Sequence, residues 1–384
     1  MELNDILKFA RTSGASDVHI KAGLPPVYRI DGELKPLAKA PPLTQEMTQQ
    51  MAFDIMSAKQ RQRYEDVHEI DMAYGVAGLG RFRVNIFSQR GAVSMVFRFI
   101  PFDIKNLDDL NLPPVIKKLM AERRGLVLVT GATGSGKSTT LAAMIDYINN
   151  NSTVHIVTIE DPIEFLHRDR RSIINQREVG SDTDNYANAL RAALRQDPDV
   201  ILLGEMRDIE TMEIAMHAAE TGHLVFSTLH TIDASESINR IVGSFPPHQQ
   251  RQIRAQLSAV LKAVISQRLV PKIDGKGRVP AVEVMVSSAR VRELIDDPEK
   301  TSLLGETIQK GYVSYGMQSF DQSLMSLLKR NLITFDEAVA QSSNPDDFKL
   351  KFSGISSDSD LSWDNFDTAT DDKNGDKEKK IERF

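Results

Sequence analysis

An apolar segment that runs directly into a glycine-rich loop constrains this chain more than any other feature. Residues 126–130 read Leu-Val-Leu-Val-Thr, which is typical of a buried strand, and residues 131–138 read Gly-Ala-Thr-Gly-Ser-Gly-Lys-Ser. This is the G-x-x-x-x-G-K-S pattern, in which backbone N–H groups close around a phosphate chain. A helix-forming run at 139–148 follows, so the phosphates are expected to meet a helix N-terminus. The order of strand, loop and helix therefore predicts a phosphate-binding site on a parallel sheet.

Two side chains of residues 131–138, called here the phosphate loop, have predicted chemical roles. Lys137 is expected to place its charge on the β and γ phosphates of a nucleoside triphosphate, and the Ser138 hydroxyl to hold Mg²⁺. A glycine-rich loop alone also fits an ordinary turn, but the flanking strand and helix are the context that nucleotide binding requires. The predicted nucleotide-binding residues are Gly131, Thr133, Gly134, Ser135, Gly136, Lys137, Ser138 and Thr139.

Composition disfavours several classes of protein. The chain has 384 residues, 41% of them hydrophobic, which suits two or three domains of roughly 100–200 residues each. It contains no cysteine, which excludes disulfides, thiolate zinc sites and cysteine nucleophiles. No apolar stretch reaches the roughly 18 residues of a membrane span, and the acidic N-terminus lacks the positive region of a signal peptide, so neither is expected. The net charge of −6 argues against a general nucleic-acid binder.

The first 100 residues predict a small α+β domain built on an antiparallel sheet. Residues 1–13 have the spacing of an amphipathic helix, with Phe9 among the residues of its apolar side. Alternating patterns at 81–87 and 92–100, separated by a short turn, predict a hairpin. Two consecutive prolines near the end of residues 101–114 indicate a linker between domains.

From about residue 115 to 270 the pattern changes to apolar strands that alternate with helical stretches, and a hairpin-like segment at 278–286 and further helices complete the domain to residue 350. Such alternation predicts an α/β architecture, in which parallel strands are joined by crossover helices. Residues 247–270 are predicted to form one helix that ends before Pro271. The predicted strands are 126–130, 155–159, 199–203 and 224–228.

The last residues, 351–384, differ in composition from the rest. They are rich in Asp, Ser, Asn and Lys and poor in apolar residues. Such a segment cannot bury enough apolar surface to order itself, so disorder is expected. Trp363 is the only tryptophan of the chain and lies in this tail, either as part of a docking motif or without a role.

Titratable residues follow the predicted strands at one edge of the sheet, where ligands of α/β proteins bind. Glu160 and Glu164 follow the second strand. Glu205 follows the third strand and His230 the fourth. Hydrolysis of a γ-phosphate requires a metal, an activated water and neutralisation of charge. Glu164 is favoured over Glu160 for activating the water, because Pro162 ends the strand and projects the residues after it over the site. Glu205 is predicted to hold Mg²⁺ through a water, and His230 to sense the γ-phosphate, although each residue taken singly also fits an ordinary surface position.

Three arginines and a second histidine are the remaining candidates. Alternation in the second hairpin predicts that Arg81, Arg83 and Arg98 share one exposed face. This is either an ordinary solvated face or one from which Arg81 and Arg98 reach a nucleotide, within the subunit or in a neighbour. His223 is separated from His230 by a strand of about 20 Å, so it is predicted to be structural or to face another subunit.

Four segments together resemble the secretion and type IV pilus ATPase superfamily, and most of all its pilus-retraction branch. They are the phosphate loop and residues 158–164, 194–208 and 219–231. The second segment is similar to the family's Asp box, in which the residue at the position of Glu164 is the catalytic glutamate. The third is similar to its atypical Walker B motif, which ends in Gly-Glu, and the fourth to its His box. The resemblance covers residues 1–350 and leaves the tail outside.

This resemblance implies a RecA-like P-loop ATPase core at 115–350 and a smaller PAS-like α+β domain at 1–100. It implies hydrolysis of ATP with Mg²⁺, and arginines at the positions of Arg81 and Arg98 that approach the nucleotide. It also implies a homohexamer that is cytoplasmic and peripherally associated with the inner membrane at the pilus base. There the ring is expected to act on the inner-membrane pilus platform protein and to power pilus retraction in twitching motility. A paralogous retraction ATPase is a further expected partner, and no nucleic acid is expected.

Two observations bear on the branch of this family. Assembly and secretion members carry a four-cysteine metal-binding insertion that this chain lacks, which favours retraction. Residues 290–297, Arg-Val-Arg-Glu-Leu-Ile-Asp-Asp, align with the retraction branch's Ala-Ile-Arg-Asn-Leu-Ile-Arg-Glu, with Asp296 in place of a positive charge. This departure leaves an accessory retraction ATPase as an alternative. A RecA-like nucleic-acid translocase, disfavoured by the acidic charge, and a nucleotide-gated scaffold without hydrolysis are further alternatives.

Overall fold

A computed structural model describes residues 2–30, 32–38, 40–100 and 104–354. Within these ranges no helix combines the length and the apolar character that crossing a membrane would require. Residues 101–103 of the predicted linker and residues 355–384 of the predicted tail, including Trp363, lie outside the described residues.

The described residues contain both helices and strands. The helices are α1 Leu3–Thr12, α2 Gln45–Ile55, α3 Ala58–Val67, α4 Val115–Leu119, α5 Lys137–Asn151, α6 Tyr186–Ala193, α7 Ile209–Glu220, α8 Ala234–Ser244, α9 Pro247–Val260, α10 Ala289–Asp296, α11 Leu304–Lys310, α12 Tyr312–Tyr315, α13 Phe320–Lys329, α14 Phe335–Gln341 and α15 Pro345–Phe352. The strands are β1 Asp17–Lys21, β2 Val27–Ile30, β3 Glu33–Pro36, β4 Glu69–Val76, β5 Gly80–Gln89, β6 Ala92–Ile100, β7 Gly125–Thr130, β8 His155–Glu160, β9 Ile173–Glu178, β10 Val200–Leu203, β11 Leu224–Leu229, β12 Leu261–Pro271 and β13 Arg278–Val286. Two 3₁₀ helices cover Leu107–Leu110 and Thr301–Leu303.

The described residues form two compact units. Unit 1 contains those of Met1–Ile104 and Asn149–Pro198, and unit 2 contains those of Lys105–Ile148 and Asp199–Phe384. This division reflects which residues pack together in space. The bounds predicted from the sequence, near residues 100 and 115, instead reflect changes in the pattern of apolar residues. Those sequence-based bounds stay a prediction.

An antiparallel sheet makes up most of unit 1. Its six strands have the order β3-β2-β1-β6-β5-β4, and β5 and β6 form the predicted hairpin. Phe82, Val84 and Ile86 of β5 are buried, and the residues between them are not, because neighbouring side chains of a strand point to opposite faces. One face of this sheet therefore belongs to the core of the unit.

The N-terminal helix α1 covers that core with a stripe of apolar residues at helical spacing. Leu3, Ile6, Leu7 and Ala10 are buried. The prediction that Phe9 shares this side is wrong, because its side chain lies at the margin and is 44% exposed. Its ring packs against that of Tyr28, with 5.0 Å between the ring centroids.

Unit 1 also contains a parallel pair of strands, β8 and β9. Their register pairs Glu160 with Glu178 at the last position of each strand. The strand β9 was not predicted from the sequence, since its burial pattern is mixed and polar residues occupy its second half.

Five strands of unit 2 form a sheet with the order β13-β12-β7-β11-β10. The strands β12, β7, β11 and β10 are parallel, and β13 is antiparallel to β12. All residues of β7 and β11 are buried, as expected for parallel strands covered on both faces. The predicted α/β architecture is confirmed, and the central position of β7 determines where the phosphate loop begins.

The predicted helix over 247–270 is wrong in its second half. Helix α9 ends at Val260, and the chain continues directly as β12. Ala263, Val264 and Ile265 are fully buried in a strand paired on both sides, by β7 and by β13. A strand buried on both faces has a continuous apolar run, which periodicity alone cannot distinguish from a buried helix.

Strand β13 carries a buried carboxyl group at the start of α8. Glu283 is 8% exposed, and its carboxylate accepts a hydrogen bond of 2.9 Å from the backbone N–H of Ala234. The pKa of Glu283 is raised to about 7, mainly by burial and further by the nearby Asp233 and Asp321. The hydrogen bond from Ala234 and the charge of Arg268 act in the opposite direction and lower this pKa. Glu283 therefore keeps its proton in the folded protein over a pH range in which the unfolded chain has lost it.

Replacing Glu283 with glutamine is expected to stabilise the protein above pH 7 and to change little in acid. Because the folded pKa is raised, the stability that Glu283 contributes is fully present below its ordinary pKa of 4.5 and is lost as the pH rises to about 7. The advantage of the variant in free energy of unfolding should grow across this window by up to about 3 kcal/mol. Urea unfolding of both proteins at about pH 5 and about pH 8 measures it. Parallel pH profiles would contradict the assignment.

Candidate functional site

The phosphate loop connects the buried end of β7 to α5 through three glycines with positive φ. The φ angles are 141° at Gly131, 81° at Gly134 and 94° at Gly136, a region that other residues rarely adopt. At Gly131 space is also limiting, since a Cβ there would lie 2.5 Å from the backbone oxygen of Gln267 and 2.6 Å from Ser135 Oγ. The loop therefore has a conformation that its glycines make accessible.

The lysine of the loop is turned inward. Lys137 is buried, and its Nζ donates hydrogen bonds of 2.8 Å to the oxygen of Gly131 and 3.1 Å to that of Ala132. Ser138 and Thr139 are half-buried in the first turn of α5. The ammonium group inside the loop, together with the helix N-terminus, makes this a site that fits a phosphate chain.

Glu205 and His230 are brought together, as their positions after neighbouring strands predicted. The distance between Glu205 Oε1 and His230 Nε2 is 3.4 Å, and Arg207 Nε donates a 2.7 Å hydrogen bond to Glu205 Oε2. Thr228, in β11, donates through its hydroxyl to the oxygen of Gly204 at 2.6 Å, which ties the two strand ends together. The carboxylate of Glu205 is thus held between two potential cations, while His230 is exposed.

These residues follow three adjacent parallel strands. β11 pairs with β7 on one side and β10 on the other, and the register sets Leu229 beside Thr130. His230 consequently follows β11 at the level where Gly131 follows β7. The predicted edge of the sheet exists for the phosphate loop, Glu205 and His230.

Glu160 and Glu164 belong to unit 1, at the end of β8 and in the loop after it. Glu160 Oε1 accepts hydrogen bonds from Thr158 Oγ1 at 2.7 Å and Gln176 Nε2 at 3.2 Å, and Oε2 accepts from the Glu164 backbone N–H at 3.5 Å. Burial raises the pKa of Glu160, although these three hydrogen bonds lower it. Glu164 itself is exposed. Both oxygens of the half-buried Glu160 already accept hydrogen bonds, whereas Glu164 is exposed, which favours Glu164 as the carboxylate that acts on a water.

Arg81 lies on the predicted arginine face and is held by a carboxylate that the sequence did not single out. Its Nη2 lies 3.2 Å from Glu178 Oε2, and Glu178 is buried. The same Glu178 oxygen accepts a 3.2 Å hydrogen bond from the backbone N–H of Ile163, and its other oxygen accepts one from Ser181. Arg81 is therefore connected through Glu178 to the segment that carries Glu164.

Arg98 is held in a similar way on the same face of the sheet. The β5–β6 register sets it opposite Arg83, and the β1–β6 register sets it opposite Asp17. Arg98 Nε donates a 2.8 Å hydrogen bond to the buried Asp17. Burial would raise the pKa of Asp17, but hydrogen bonds from Ser16 and Arg98 outweigh it and lower that pKa.

His223 lies at the opposite end of β11 from His230. Its ring Nδ1 is 3.0 Å from the backbone oxygen of Ala218, and its backbone oxygen accepts from Gly125. These contacts support the structural alternative for His223.

Comparison with known protein families supports the nucleotide site that the geometry indicates. The family model described as type II/IV secretion system protein matches residues 1–314. The chain belongs to that family. The type IV pilus retraction ATPase PilT of Pseudomonas aeruginosa is 47% identical over 348 residues, which cover 91% of this chain and 100% of PilT. The type IV pilus ATPase PilU of the same organism is 43% identical over 361 residues, 94% of each chain.

A solved structure of the pilus retraction motor PilT with bound ADP has the same fold. It superimposes with a TM-score of 0.83 and 49% identity, over 90% of this chain and 98% of that one. These matches confirm the predicted family and the predicted α/β fold. They also confirm the predicted enzyme class and retraction function, because the matched relatives are pilus ATPases. The bound ADP supports the prediction that the phosphate loop takes a nucleotide.

Sequence reasoning missed four polar residues that shape the site. Glu178 lies in the unpredicted strand β9, and Gln267 in the part of β12 that was assigned to a helix. Asp17 and Arg207 lie in or just after a strand, and a charged residue at such a position is the signal that could have found them. Each of these residues holds a predicted site residue or borders the phosphate loop.

Gly131→Ala is expected to lower nucleotide affinity by at least about tenfold, because the new Cβ would displace the loop or β12. The matched control is Gly243→Ala in α8, where a Cβ would meet nothing within 4 Å and φ is not positive. The control should bind normally and gain up to about 1 kcal/mol in stability. Titration with a fluorescent ADP analogue measures affinity, and thermal melting measures stability. Equal affinity of Gly131→Ala and the parent would contradict the expectation.

Proposed function

We propose that this protein is an ATP-hydrolysing motor that powers retraction of a type IV pilus. The observation that carries the proposal is the placement of the phosphate loop, His230 and Glu205 after three adjacent parallel strands. It occurs in a chain that is 47% identical to PilT over the whole of PilT. The hydrolytic residues and the family thus support the same activity.

ATP with Mg²⁺ is the proposed substrate complex. The phosphate loop would hold the phosphates, with Lys137 as the charge on the β and γ groups. Ser138 would hold Mg²⁺ directly and Glu205 through a water; the metal, when bound, neutralises phosphate charge. In the described part of the chain no group of three or more His, Cys, Asp or Glu could hold a metal alone. This fits Mg²⁺, which is commonly bound by one or two protein oxygens together with substrate phosphates.

The remaining site residues divide the chemistry among them. Glu164, exposed and next to the engaged Glu160, is the proposed acceptor of the proton from the attacking water. His230 would sense the γ-phosphate through its contact with Glu205. Arg81 and Arg98 would neutralise charge that develops on the phosphates, from the same subunit or a neighbour. Each arginine contacts its carboxylate through one nitrogen, so its other N–H donors would face the phosphate.

The proposed assembly is a homohexamer in the cytoplasm, associated peripherally with the inner membrane at the pilus base. Its proposed partner is the inner-membrane pilus platform protein, on which the ring would act, and no nucleic acid is involved. The resemblance to pilus-retraction ATPases supports this assignment. The net charge of −6 supports the exclusion of nucleic acid.

A second candidate is the accessory retraction ATPase, as in PilU. The identity of 43% to PilU over 94% of both chains favours it almost as strongly as PilT is favoured. In either role the protein would share its site chemistry with the other ATPase and cooperate with it as a partner. The divergent segment 290–297 is the feature of this chain that separates it from the retraction pattern.

Glu164→Gln is expected to bind ATP with near-parental affinity. Its rate of phosphate release should fall by at least about 100-fold, because the amide cannot accept the water's proton. Glu213→Gln, at an exposed position of α7, is the control and should hydrolyse normally. Phosphate release and fluorescent-nucleotide binding are measured on the same preparations. Unchanged release in Glu164→Gln would remove Glu164 from the mechanism, and no hydrolysis by the parent would favour the scaffold alternative.

Deletion of the gene in the native host is expected to leave pili intact and to stop their retraction. The parent protein should restore retraction, and Lys137→Ala should not, because it lacks the charge that faces the phosphates. Fluorescence microscopy of labelled pili scores both. Loss of the pili themselves would point to assembly instead, and retraction that persists at reduced force would point to the accessory role.

A further inference from the structure

Strand β12 forms a wall of the phosphate loop that the sequence motif does not include. Its register with β7 pairs Ser266 with Thr130, whose hydroxyls are 2.9 Å apart. Gln267 therefore lies beside Gly131, where the loop begins. Because a Cβ on Gly131 would be 2.5 Å from the Gln267 backbone oxygen, the loop and β12 pack as closely as a glycine permits.

The side chain of Gln267 is also directed at the loop. Gln267 is 2% exposed, and its Nε2 lies 3.5 Å from the backbone oxygen of Ser135. The same nitrogen would be 3.6 Å from a Cβ on Gly136. Arg268, the next residue, turns elsewhere, since it stacks on Phe320 at 4.0 Å and donates to the oxygen of Gln341. Alternation along β12 thus assigns Gln267 to the loop.

Two buried polar atoms at this contact have no hydrogen-bond partner. They are the amide oxygen of Gln267 and the hydroxyl oxygen of Ser135, a residue that is 6% exposed. Buried polar atoms nearly always have partners in folded proteins, and each exception calls for an explanation, a functional role being one. The amide oxygen can accept from the hydroxyl, and the hydroxyl can donate to the amide or to a phosphate. The pair therefore has the donor and acceptor for a second hydrogen-bonding arrangement of the loop.

We propose that Gln267 is a positioning residue of the nucleotide site, whose amide holds the second half of the phosphate loop through Ser135. The proposal rests on the proposed function, because it assigns Gln267 to that same site. Gln267 does not touch the reacting atoms; it keeps residues 135–137 in the shape that receives the phosphates. Glutamine suits this role because it presents a donor and an acceptor from one end, whereas leucine fills similar space without either.

The experiment compares Gln267→Leu, Gln267→Asn and Gln267→Glu in the full chain, with Gln252→Leu at an exposed position of α9 as control. Gln267→Leu should raise the KM for ATP and the Kd for a fluorescent ADP analogue by about tenfold, the effect of losing one buried hydrogen bond. Its kcat should stay within about twofold of the parent, because preorganisation for binding is lost and not transition-state contacts. Gln267→Asn should fall between, and Gln267→Glu should weaken binding at least as much as leucine, since its charge faces the incoming phosphates.

The outcomes separate positioning from a general structural role. An unchanged Kd in Gln267→Leu overturns the inference, and so does a joint loss of kcat and melting temperature without a change in KM. If Gln267→Leu does not fold, Gln267→Asn decides by the same measure. A parent protein that binds neither ATP nor the ADP analogue overturns the proposed function and this inference together. A parent that binds while all Gln267 variants bind equally well overturns this inference alone.

Discussion

The close packing of Gly131 against its neighbours is the constraint on which the nucleotide site depends. β7 is buried on both faces and paired on both sides, so its direction and register leave no freedom in where the phosphate loop starts. The loop then leaves the sheet with φ of 141° and without room for a Cβ. On one side this sets His230 at the level of the loop, and on the other side Gln267. The positions of both follow from strand pairing and not from the loop sequence.

The cations expected at the phosphates share a second property, which is that each already has an oxygen partner. Lys137 donates to two loop carbonyls, Arg81 to Glu178, and Arg98 to Asp17. For Lys137, phosphate binding would exchange these carbonyl partners for phosphate oxygens. Neutral carbonyls are weaker acceptors than phosphate oxygens, so Lys137 gains by the exchange. The arginines differ from Lys137, because each has further N–H donors beside the one that contacts its carboxylate. A phosphate could therefore be contacted while the buried Asp17 and Glu178 keep their partners.

The sequence predicted those parts of the structure whose physical cause is local. The phosphate loop follows from glycine conformation and a flanking strand, and the proximity of Glu205 and His230 from the rule that parallel strands end at one edge. Strand β12 was not predicted, because Ala263 to Ile265 are buried on both faces, and such an apolar run lacks the alternation that indicates a strand. Gln267 was not identified for the same reason, since it lies in this strand. Glu178 was not found because its importance comes from Arg81, 97 residues away in the chain, and pairing at that separation has no local signal.

The divergent segment 290–297 contains both buried and exposed residues of α10. Val291, Leu294 and Ile295 form the buried face of α10, and they are the positions at which the predicted resemblance to the retraction branch has apolar residues. The α10 end is fixed further by the buried Arg254, which donates to the oxygen of Ile295 at 2.9 Å. Asp296, where the charge is reversed, is exposed. The predicted departure at Asp296 therefore falls on the exposed side of α10 and not among its buried residues. A distinction between main and accessory retraction ATPases that depended on Asp296 would act through contacts at the exposed face of α10, since that is where this residue lies.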